Sequence, residues 1–307
     1  MSKIKYLIDF LSHPFEMWYN IVYLFPRIIQ DDRKYIEFMW KHRMDYPLNL
    51  DSPKTFNEKI QWLKLYDHQD KYTMMVDKYA VKKYVADIIG EEYIIPTLGV
   101  WEKPEEIEWD TLPDQFVLKC THDSGGLVIC RDKSKLDIKA AKQKLRKSLK
   151  CDYYLKGREW PYKNVPRRII AEQLIESNTE GKDIPDYKWY CFDGEPKFCQ
   201  VIQNRSTKET IDFFDTKWNH QEFVGLNENA DNAEVIPNRP ANLETHIRIA
   251  RELSKNISFA RIDIYDVNEK QYFGEVTLYP ACGFGKFRPN QYNEILGNML
   301  ILPESVD

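Results

Sequence analysis

The chain has 307 residues, of which 43% are apolar and 14% aromatic, so it can build a full-sized core and is not globally disordered. The formal net charge is −4 and no long basic run is present, which argues against nucleic acid as a partner. The six cysteines form no C-x-x-C pair. We therefore expect reduced thiols in a cytosolic protein rather than a zinc site or a disulfide framework.

Residues 4–29 are rich in aromatic and apolar side chains, but Pro14 and Pro26 divide them into pieces too short to span a bilayer. The segment also lacks the clean apolar stretch and the cleavage site of a secretory signal. Two interpretations stay open. The favoured one is a helical arm packed on the body of the protein. The other is an aromatic patch that contacts a partner protein or the inner face of a membrane.

The first third of the chain has mainly helical patterns. Apolar residues recur at near-helical spacing over residues 30–67, with a turn and helix cap at 52–56. A second amphipathic helix is predicted over residues 77–89, where Gly90 ends it, and a strand is expected to start at 94–96.

Strand signals become frequent after Pro113. Apolar runs at 116–119 and 127–130 flank the polar segment THDSGG, and another strand is predicted at 168–172. Residues 189–201 predict a hairpin around Asp193-Gly194, a favoured pair for tight turns. Helices are expected at 137–150 and 243–255, and a last hairpin at 260–279. The pattern predicts an α+β fold with mainly antiparallel pairing rather than a βαβ series.

The last hairpin brings charged side chains together. With its turn near Glu269, side-chain alternation places Asp263 opposite Glu275 and Arg261 opposite Thr277 on one face. The other face is expected to be buried, and it carries Ile262, Ile264, Val276 and Leu278.

Two opposed carboxylates destabilise a sheet unless a cation lies between them, and Mg²⁺ prefers one or two carboxylates with water and phosphate oxygens. The alternative is a solvated hairpin with a charged outer face, which the hairpin by itself favours. The Pro/Gly loop at 279–288 carries two cations at the place where a substrate would lie, and this shifts the balance toward a cation site.

At this point the chain resembles the ATP-grasp superfamily, whose C-terminal signature is Arg-x-Asp, a hairpin, Glu-x-Asn and a Pro/Gly loop. The matching residues are Arg261-Ile262-Asp263, Glu275-Val276-Thr277 and the loop that begins at Pro280. The resemblance implies that the chain binds ATP and Mg²⁺, with Asp263, Glu275 and Thr277 as metal ligands. Thr277 stands where asparagine is usual, and a hydroxyl binds Mg²⁺ less strongly, so one magnesium ion is implied more firmly than two.

Further motifs follow in the order typical of that superfamily. Lys78 resembles its first nucleotide lysine, and Lys119 its second, ahead of a loop formed by Ser124, Gly125 and Gly126. Lysines supply point charges to phosphate oxygens, and glycines let backbone N–H groups approach them. A lone lysine at the end of a strand is more often a surface residue. The interpretation therefore depends on the ordered set.

Two later segments complete the implied nucleotide site. Residues 171–175 resemble the hinge that holds adenine, with Glu172, Gln173, Leu174 and Ile175 as its members. Asp186 matches the acidic residue that holds the ribose hydroxyls, and Lys188 is within reach of the phosphates. As alternatives, Glu172, Asp186 and Lys188 are ordinary charged residues at strand ends.

Residues 54–62, 118–126 and 186–201 narrow the resemblance to the teichuronopeptide-type (TupA-like) branch, which is typically encoded with enzymes of bacterial capsule, O-antigen or teichuronic acid synthesis. The resemblance covers nearly everything after residue 45. It implies an ATP-grasp fold in which two α+β subdomains clamp ATP behind a helical N-terminal extension. The implied boundaries are 1–66 for the helical region, 67–110 for the segment before the ATP-grasp domain, 111–176 for the lid and 177–307 for the catalytic subdomain.

The branch implies an ADP-forming ligase that joins an amino acid or small amine to a uronic acid carboxylate in a saccharide, through an acyl phosphate. Arg261 is the candidate to stabilise the tetrahedral oxyanion, and a structural ion pair with Asp263 is its alternative. Candidates to hold the anionic sugar acid are Lys286, Arg288 and Arg205. Trp218 is a candidate to stack on a sugar ring, although a buried aromatic is its favoured role.

Two other functions remain as alternatives to the ligase. One is an ATP-dependent phosphotransferase that acts on a saccharide hydroxyl. The other is a nucleotide-binding protein without ligase chemistry, or a glycosyltransferase in which Asp212 and Asp215 would form a weak metal motif.

Overall fold

The computed structural model describes residues 14–176, 184–204, 207–227, 229–268 and 270–304. Its first third is helical, with α1 Pro14–Leu24, α2 Asp32–Arg43, α3 Phe56–Tyr66, α4 Asp70–Val76 and α5 Ala80–Ile89. Further helices lie between or after the strands, namely α6 Ile138–Leu149, α7 Tyr154–Gly157, α8 Leu243–Ser254 and α9 Gln291–Met299. The region predicted to be helical over 30–67 thus contains two helices separated by a turn.

Side-chain hydrogen bonds lie at or just before the start of α3 and α5. The hydroxyl of Thr55 accepts a hydrogen bond from the backbone N–H of Glu58, and the Glu58 carboxylate accepts one from the N–H of Thr55 at 2.9 Å. This capping box starts α3. Helix α5 starts at Ala80, three residues later than its apolar pattern predicts, and Asp77 accepts hydrogen bonds from the N–H groups of Tyr79 and Ala80 in the turn before it.

The strands form two antiparallel sheets. The first has the order β1 Thr97–Trp101, β4 Ile169–Gln173, β2 Phe116–Cys120 and β3 Leu127–Cys130. The second has the order β11 Lys270–Thr277, β10 Phe259–Val267, β5 Asp186–Phe192, β6 Glu195–Gln203, β7 Thr210–Asp215 and β8 His220–Gln221. A small pair joins β9 Val224–Gly225 to β12 Phe287–Arg288. The antiparallel α+β fold expected from the sequence is confirmed.

Each sheet has a hydrophobic core of its own. The larger core lies against the six-stranded sheet, where α8 buries Leu243, Ala250 and Leu253. The smaller core packs Leu145 of α6 against the four-stranded sheet, next to Phe116 and Ile169. Because each sheet turns one face to its own core, the polar side chains at the other face are free to line a common space.

Helix α1 packs on the body with one side only. Val22 is fully buried in a small cluster with Tyr35 and Trp40, whereas Phe15 is 57% exposed and Trp18 is 43% exposed. The described part of the arm, 14–29, is therefore packed as favoured, whereas 4–13 lie outside the described residues. The arm also presents aromatic surface, and contact with a membrane or partner stays a prediction. In the part of the chain that the structure describes, no helix combines the length and apolar character needed to cross a bilayer.

The hairpin turn between β5 and β6 predicts a sharp difference between two neighbouring substitutions. Asp193 and Gly194 both have positive φ, at 49° and 76°. Ala at Gly194 places a Cβ in a left-handed conformation, which costs about 1 kcal/mol of unfolding free energy. Urea denaturation of Gly194→Ala measures this loss. Asp193→Gly is the control, since glycine adopts the same φ freely, and an equal loss in both variants would contradict the explanation.

Candidate nucleotide and metal site

The hairpin of β10 and β11 has the predicted register. Asp263 pairs with Glu275, and Arg261 pairs with Thr277, on the face opposite the buried Ile262 and Val276. The register then shifts by one residue, so that Ile264 pairs with Phe273 and Gly274 forms a bulge beside Asp263. The predicted pairing therefore holds from Arg261 to Asp263. Between the bulge and the turn it is shifted by one residue.

Arg261 lies between the charged groups of the hairpin. Its guanidinium donates to both carboxylate oxygens of Asp263, at 2.7 and 2.8 Å, and to Glu275 at 3.2 Å. It also donates to the hydroxyl of Thr277 at 2.9 Å. The structural ion pair with Asp263, foreseen as an alternative role for Arg261, is present. The repulsion between the two carboxylates is thus offset within the chain itself.

The neighbouring strand β5 adds a second cation to this cluster. Lys188 lies directly opposite Asp263 in the pairing of β5 with β10, and its ammonium contacts the Asp263 carboxylate. The same ammonium pairs with Asp186 at 2.8 Å. The carboxylate of Asp263 is thus held from two sides, by Arg261 along its own strand and by Lys188 across the sheet.

The two carboxylates differ in their access to the space in front of the sheet. The Asp263 side chain is 2% exposed, and burial raises its pKa against the opposing effect of Arg261 and Lys188. The Glu275 side chain is 43% exposed, so protein covers one part of it and the open space in front of the sheet borders the other part. Burial by itself would raise the pKa of Glu275, but the charges of Lys78, Lys188, Arg261 and Lys119 outweigh burial and lower it to about 2.

A cavity of about 460 Å³ lies in front of this cluster and is lined by residues of both sheets. Among the residues predicted to form the site, those that line it are Lys78, Lys119, Ser124, Gly126, Glu172, Asp186, Lys188, Arg261, Asp263 and Glu275. Residues far apart in the sequence, such as Lys78 and Glu275, therefore meet at one cavity.

The lysines on the opposite side of the cavity are held by the first sheet. Lys119, in β2, pairs with Glu172 of β4 at 2.5 Å. Lys78 contacts the backbone carbonyl of Asp123, and its own N–H donates to the carbonyl of Thr121 at 3.2 Å. Lys78 is thereby placed beside the polar loop at 121–126, and Lys119 lies in the strand just before that loop.

That loop is anchored by residues that the sequence did not single out. The Asp123 carboxylate accepts from the N–H of Gly126 at 3.2 Å and contacts the hydroxyl of Ser148. A Cβ at Gly126 would collide with Ser148, whereas a Cβ at Gly125 would meet only Asp123, at 3.8 Å. Gly126 is thus required by packing, while Gly125, exposed between two lining residues, is not.

Glu172 also binds a lysine that the sequence reasoning missed. Its carboxylate pairs with Lys82 of α5 at 2.6 Å, in addition to Lys119. Burial raises the pKa of Glu172, but the two ammonium groups outweigh burial and lower it. Lys82 was hidden because it occupies an ordinary polar position in an amphipathic helix. Only the packing of α5 on β4 brings it to the carboxylate.

The remaining hinge residues do not line the cavity. The N–H of Gln173 donates to the carbonyl of Pro96 at 3.0 Å, and Gln173 is exposed. Leu174 and Ile175 follow it as half-buried residues just before 177–183, which lie outside the described residues. Their assignment to adenine binding stays a prediction.

The candidates for the sugar acid lie apart from the cavity lining. Lys286 pairs with Asp45 at 2.8 Å, and Arg288 pairs with Asp231 at 2.5 Å on the surface. Arg205 lies outside the described residues. Trp218 stacks on Phe214 with ring centroids 4.2 Å apart and is half-buried against the larger core.

The two aspartates of the weak glycosyltransferase motif have local structural roles. Asp212 is fully buried and bonds the ring of His220 at 2.9 Å. Asp215 accepts hydrogen bonds from the N–H groups of Lys217 and Asn219 in the turn after β7. Neither carboxylate is among the residues that line the cavity.

The sequence profile described as TupA-like ATPgrasp matches residues 58–301. The chain belongs to the TupA-like ATP-grasp family. The expectation from the sequence motifs is confirmed, and so is the ATP-grasp fold preceded by N-terminal helices. No curated protein matches the chain.

Solved structures with ATP-grasp folds resemble this TupA-like chain at low identity. The D-alanine–D-alanine ligase of Bacillus anthracis complexed with ATP is 19% identical, with a TM-score of 0.38 over 67% of this chain and 55% of that one. The enzyme of the same name from Helicobacter pylori is 11% identical, with a TM-score of 0.40 over 81% and 69%. A RimK domain ATP-grasp protein from Sphaerobacter thermophilus is 13% identical, with a TM-score of 0.42 over 76% and 69%. The chain thus spans little more than half the length of the Bacillus ligase.

The residues of the TupA-like chain fit the group that the family implies. The cavity lining contains six carboxylates and four cations, namely Asp123, Glu172, Asp186, Glu209, Asp263 and Glu275 against Lys78, Lys119, Lys188 and Arg261. A polyanionic nucleotide would be repelled by this excess unless a divalent cation came with it. Glu275, the exposed carboxylate of the pair, is accessible to such a cation, and Asp263 lies next to it.

The low pKa of Glu275 predicts how acid affects stability. Its pKa is about 2 in the folded chain and 4.5 ordinarily, so its contribution to stability is fully present above about pH 4.5 and is lost as the pH falls toward 2. Urea denaturation of Glu275→Gln should show a shallower loss of unfolding free energy across this window. Glu195→Gln is the control, because that carboxylate pairs with Arg251 on the surface. Equal flattening in both variants would contradict the prediction.

Proposed function

We propose that the chain is an ATP- and Mg²⁺-dependent ligase that joins an amino acid or small amine to the carboxylate of a uronic acid in bacterial surface polysaccharide. The observation that supports it most is the cluster of Arg261, Asp263 and Glu275, which shares one cavity with Lys78 and Lys119. This arrangement offers carboxylates for a cation on the six-stranded sheet, and lysines for phosphate oxygens beside both sheets.

Each charged group has a part in the proposed reaction. Glu275 and Asp263 hold Mg²⁺, and Lys78, Lys119 and Lys188 hold phosphate oxygens in a fixed position. Bound ATP supplies the phosphoryl group that activates the substrate carboxylate. The role of the chain is to keep these anionic groups close together, because its cations offset their mutual repulsion.

Arg261 is proposed to stabilise the oxyanion that forms when the amine attacks. It is 11% exposed and is kept in place by three side chains, so its guanidinium needs little reorganisation during the reaction. Its pKa is raised by Asp263 and Glu275 despite burial, so it stays charged throughout. A fixed positive charge near the reacting carbonyl is what oxyanion stabilisation requires.

The charge of the lining is suited to the second substrate as well. The excess of carboxylates favours binding of positively charged groups, and an amino acid or small amine enters as an ammonium ion. The uronic acid is proposed from the TupA-like branch alone, whose members are typically encoded with enzymes of surface polysaccharide. Attachment of the protein near the membrane, where such polymers are made, is part of the same proposal.

The ligase proposal predicts the dependence of ADP release on both substrates. With ATP and Mg²⁺, ADP should form only when a uronic acid such as glucuronic acid and an amine such as glycine are both present. Mass spectrometry of the product should show the sum of the two masses minus water, and the product should resist base hydrolysis as amides do. Phosphate on a sugar hydroxyl would instead establish the phosphotransferase.

Removing the charge of Glu275 predicts a loss of turnover without a loss of fold. Glu275→Gln keeps the size of the side chain but replaces a metal-binding carboxylate with a neutral amide, so ADP formation should fall at least about 100-fold. Steady-state ADP release and circular dichroism measure activity and fold. Glu195→Gln, on the surface of the same sheet, should keep wild-type turnover. Activity that survives in Glu275→Gln would show that the metal assignment is wrong.

A further inference from the structure

The segment at 54–62, which supports the family resemblance, has no part in the site described so far. It forms the start of α3, and this helix buries polar side chains. Asn57 and Gln61 are fully buried, and Lys64 is 2% exposed. Their spacing of four and three residues places all of them on one face of the helix. Buried polar groups are costly unless they are hydrogen-bonded, so their partners are informative.

The partners are backbone carbonyls of one loop, far away in the sequence. Asn57 donates to the carbonyl of Gly285 at 2.8 Å. Gln61 donates to the carbonyls of Cys282 and Gly283 at 3.1 and 2.9 Å. Lys64 donates to the carbonyl of Cys282 at 2.9 Å. One face of α3 therefore holds the Pro/Gly loop that follows the metal-binding strand β11.

This loop has a backbone conformation that needs such support. Ala281, Cys282 and Gly283 have φ values of 49°, 55° and 70°. The left-handed conformation costs about 1–2 kcal/mol for each residue with a Cβ, so two of these three residues are strained. The donors of Gln61 and Lys64 converge on the carbonyl of Cys282. A Cβ on Gly283 would meet Ile60 at 2.7 Å, which shows how closely α3 packs on the loop.

The opposite side of the loop borders the cavity. Ala281 lines it, together with Gln200, Leu226 and Asn227, and none of these four is used by the nucleotide or metal assignments. Leu226 is itself joined to the end of the loop, because its N–H donates to the carbonyl of Lys286 at 2.9 Å. Ala281 therefore forms one wall of the part of the cavity that the nucleotide and metal assignments leave unused. This part is available to the substrate that accepts the amine.

Lys64 extends the arrangement to a third segment. Its ammonium also donates to the carbonyl of Gly157 at 2.7 Å, and the thiol of Cys282 bonds Glu159 at 2.9 Å. The loop is thus held between α3 and the segment that follows α7. This segment precedes β4, the strand of the first sheet that carries Glu172.

We propose that Asn57, Gln61 and Lys64 are positioning residues that hold the left-handed loop 281–283 and thereby shape the acceptor part of the cavity. The proposal rests on the ligase function for the identity of the acceptor, a uronic acid. Its structural part, the restraint of the loop, does not. Lys59 provides a matched control on the same helix, since its ammonium donates to the carbonyls of Gly297 and Leu300 and not to the loop.

The first measurement tests the restraint of the loop without any substrate. In Gln61→Met the two donors are lost at similar side-chain volume, so amide hydrogen exchange of a peptide covering 280–286 should become at least about tenfold faster. Lys59→Met should leave that peptide unchanged and speed exchange near the end of α9. Equal exchange of the loop in wild type and Gln61→Met, or equal acceleration in both variants, would overturn the positioning role.

The second measurement tests the consequence for the acceptor. With glucuronic acid and glycine as probes, Gln61→Met should raise the KM for glucuronic acid at least about tenfold, while the Kd for ATP changes less than about twofold. Lys59→Met should change neither. A KM for glucuronic acid that stays at the wild-type value would overturn the proposed effect on the acceptor. If the wild-type chain forms no amide, the ligase function fails, and the exchange result still decides whether α3 holds the loop.

Discussion

A row of paired charges crosses three adjacent strands of the six-stranded sheet. Lys188 in β5, Asp263 in β10 and Glu275 in β11 are direct neighbours, and Arg261 closes the row. In a buried environment, removing one partner of such a set leaves an uncompensated charge, which typically costs about 3–5 kcal/mol. The row therefore requires this register and this strand order. The register in turn places the accessible carboxylate, Glu275, at the cavity.

The charge of the cavity explains why its parts come from both sheets. The six-stranded sheet contributes Asp186, Asp263 and Glu275 together with Lys188 and Arg261, while Lys78 and Lys119 are held beside the four-stranded sheet by a backbone carbonyl and by Glu172. We propose an anionic nucleotide with a divalent cation as the ligand of these mixed charges. Either sheet by itself would offer only half of such a site.

The restraint of the Pro/Gly loop is a different kind of contribution. Side chains of α3 act on backbone carbonyls and not on other side chains, so they determine the path of the chain after β11 rather than its charge. The loop borders the cavity through a small residue, Ala281, whose own side chain offers no chemistry. The shape of this wall consequently depends on Asn57, Gln61 and Lys64, which bind the loop from the side away from the cavity and are not among the residues that line it.

The sequence by itself determined the hairpin register at Arg261 and Asp263, because side chains alternate along strands and a short turn leaves few ways to pair them. It did not predict the bulge at Gly274. It also determined that Asp193-Gly194 is a tight turn and that Lys119 lies at the end of a strand, ahead of the polar loop. These features depend on residues close together in the chain or on an ordered set of motifs.

Tertiary structure decided the features that depend on contacts between distant segments. Lys82 reaches Glu172 only because α5 packs near β4, and Asn57 reaches Gly285 across 228 positions of the chain. Tertiary contacts also pair Lys286 with Asp45 and Arg288 with Asp231. Neither cation is among the residues that line the cavity, although the loop pattern suggested that both would lie beside a substrate. A local pattern specifies which side chains are polar and how they are spaced. The packing of helices and sheets decides which partner each side chain meets. This packing cannot be deduced from any single segment.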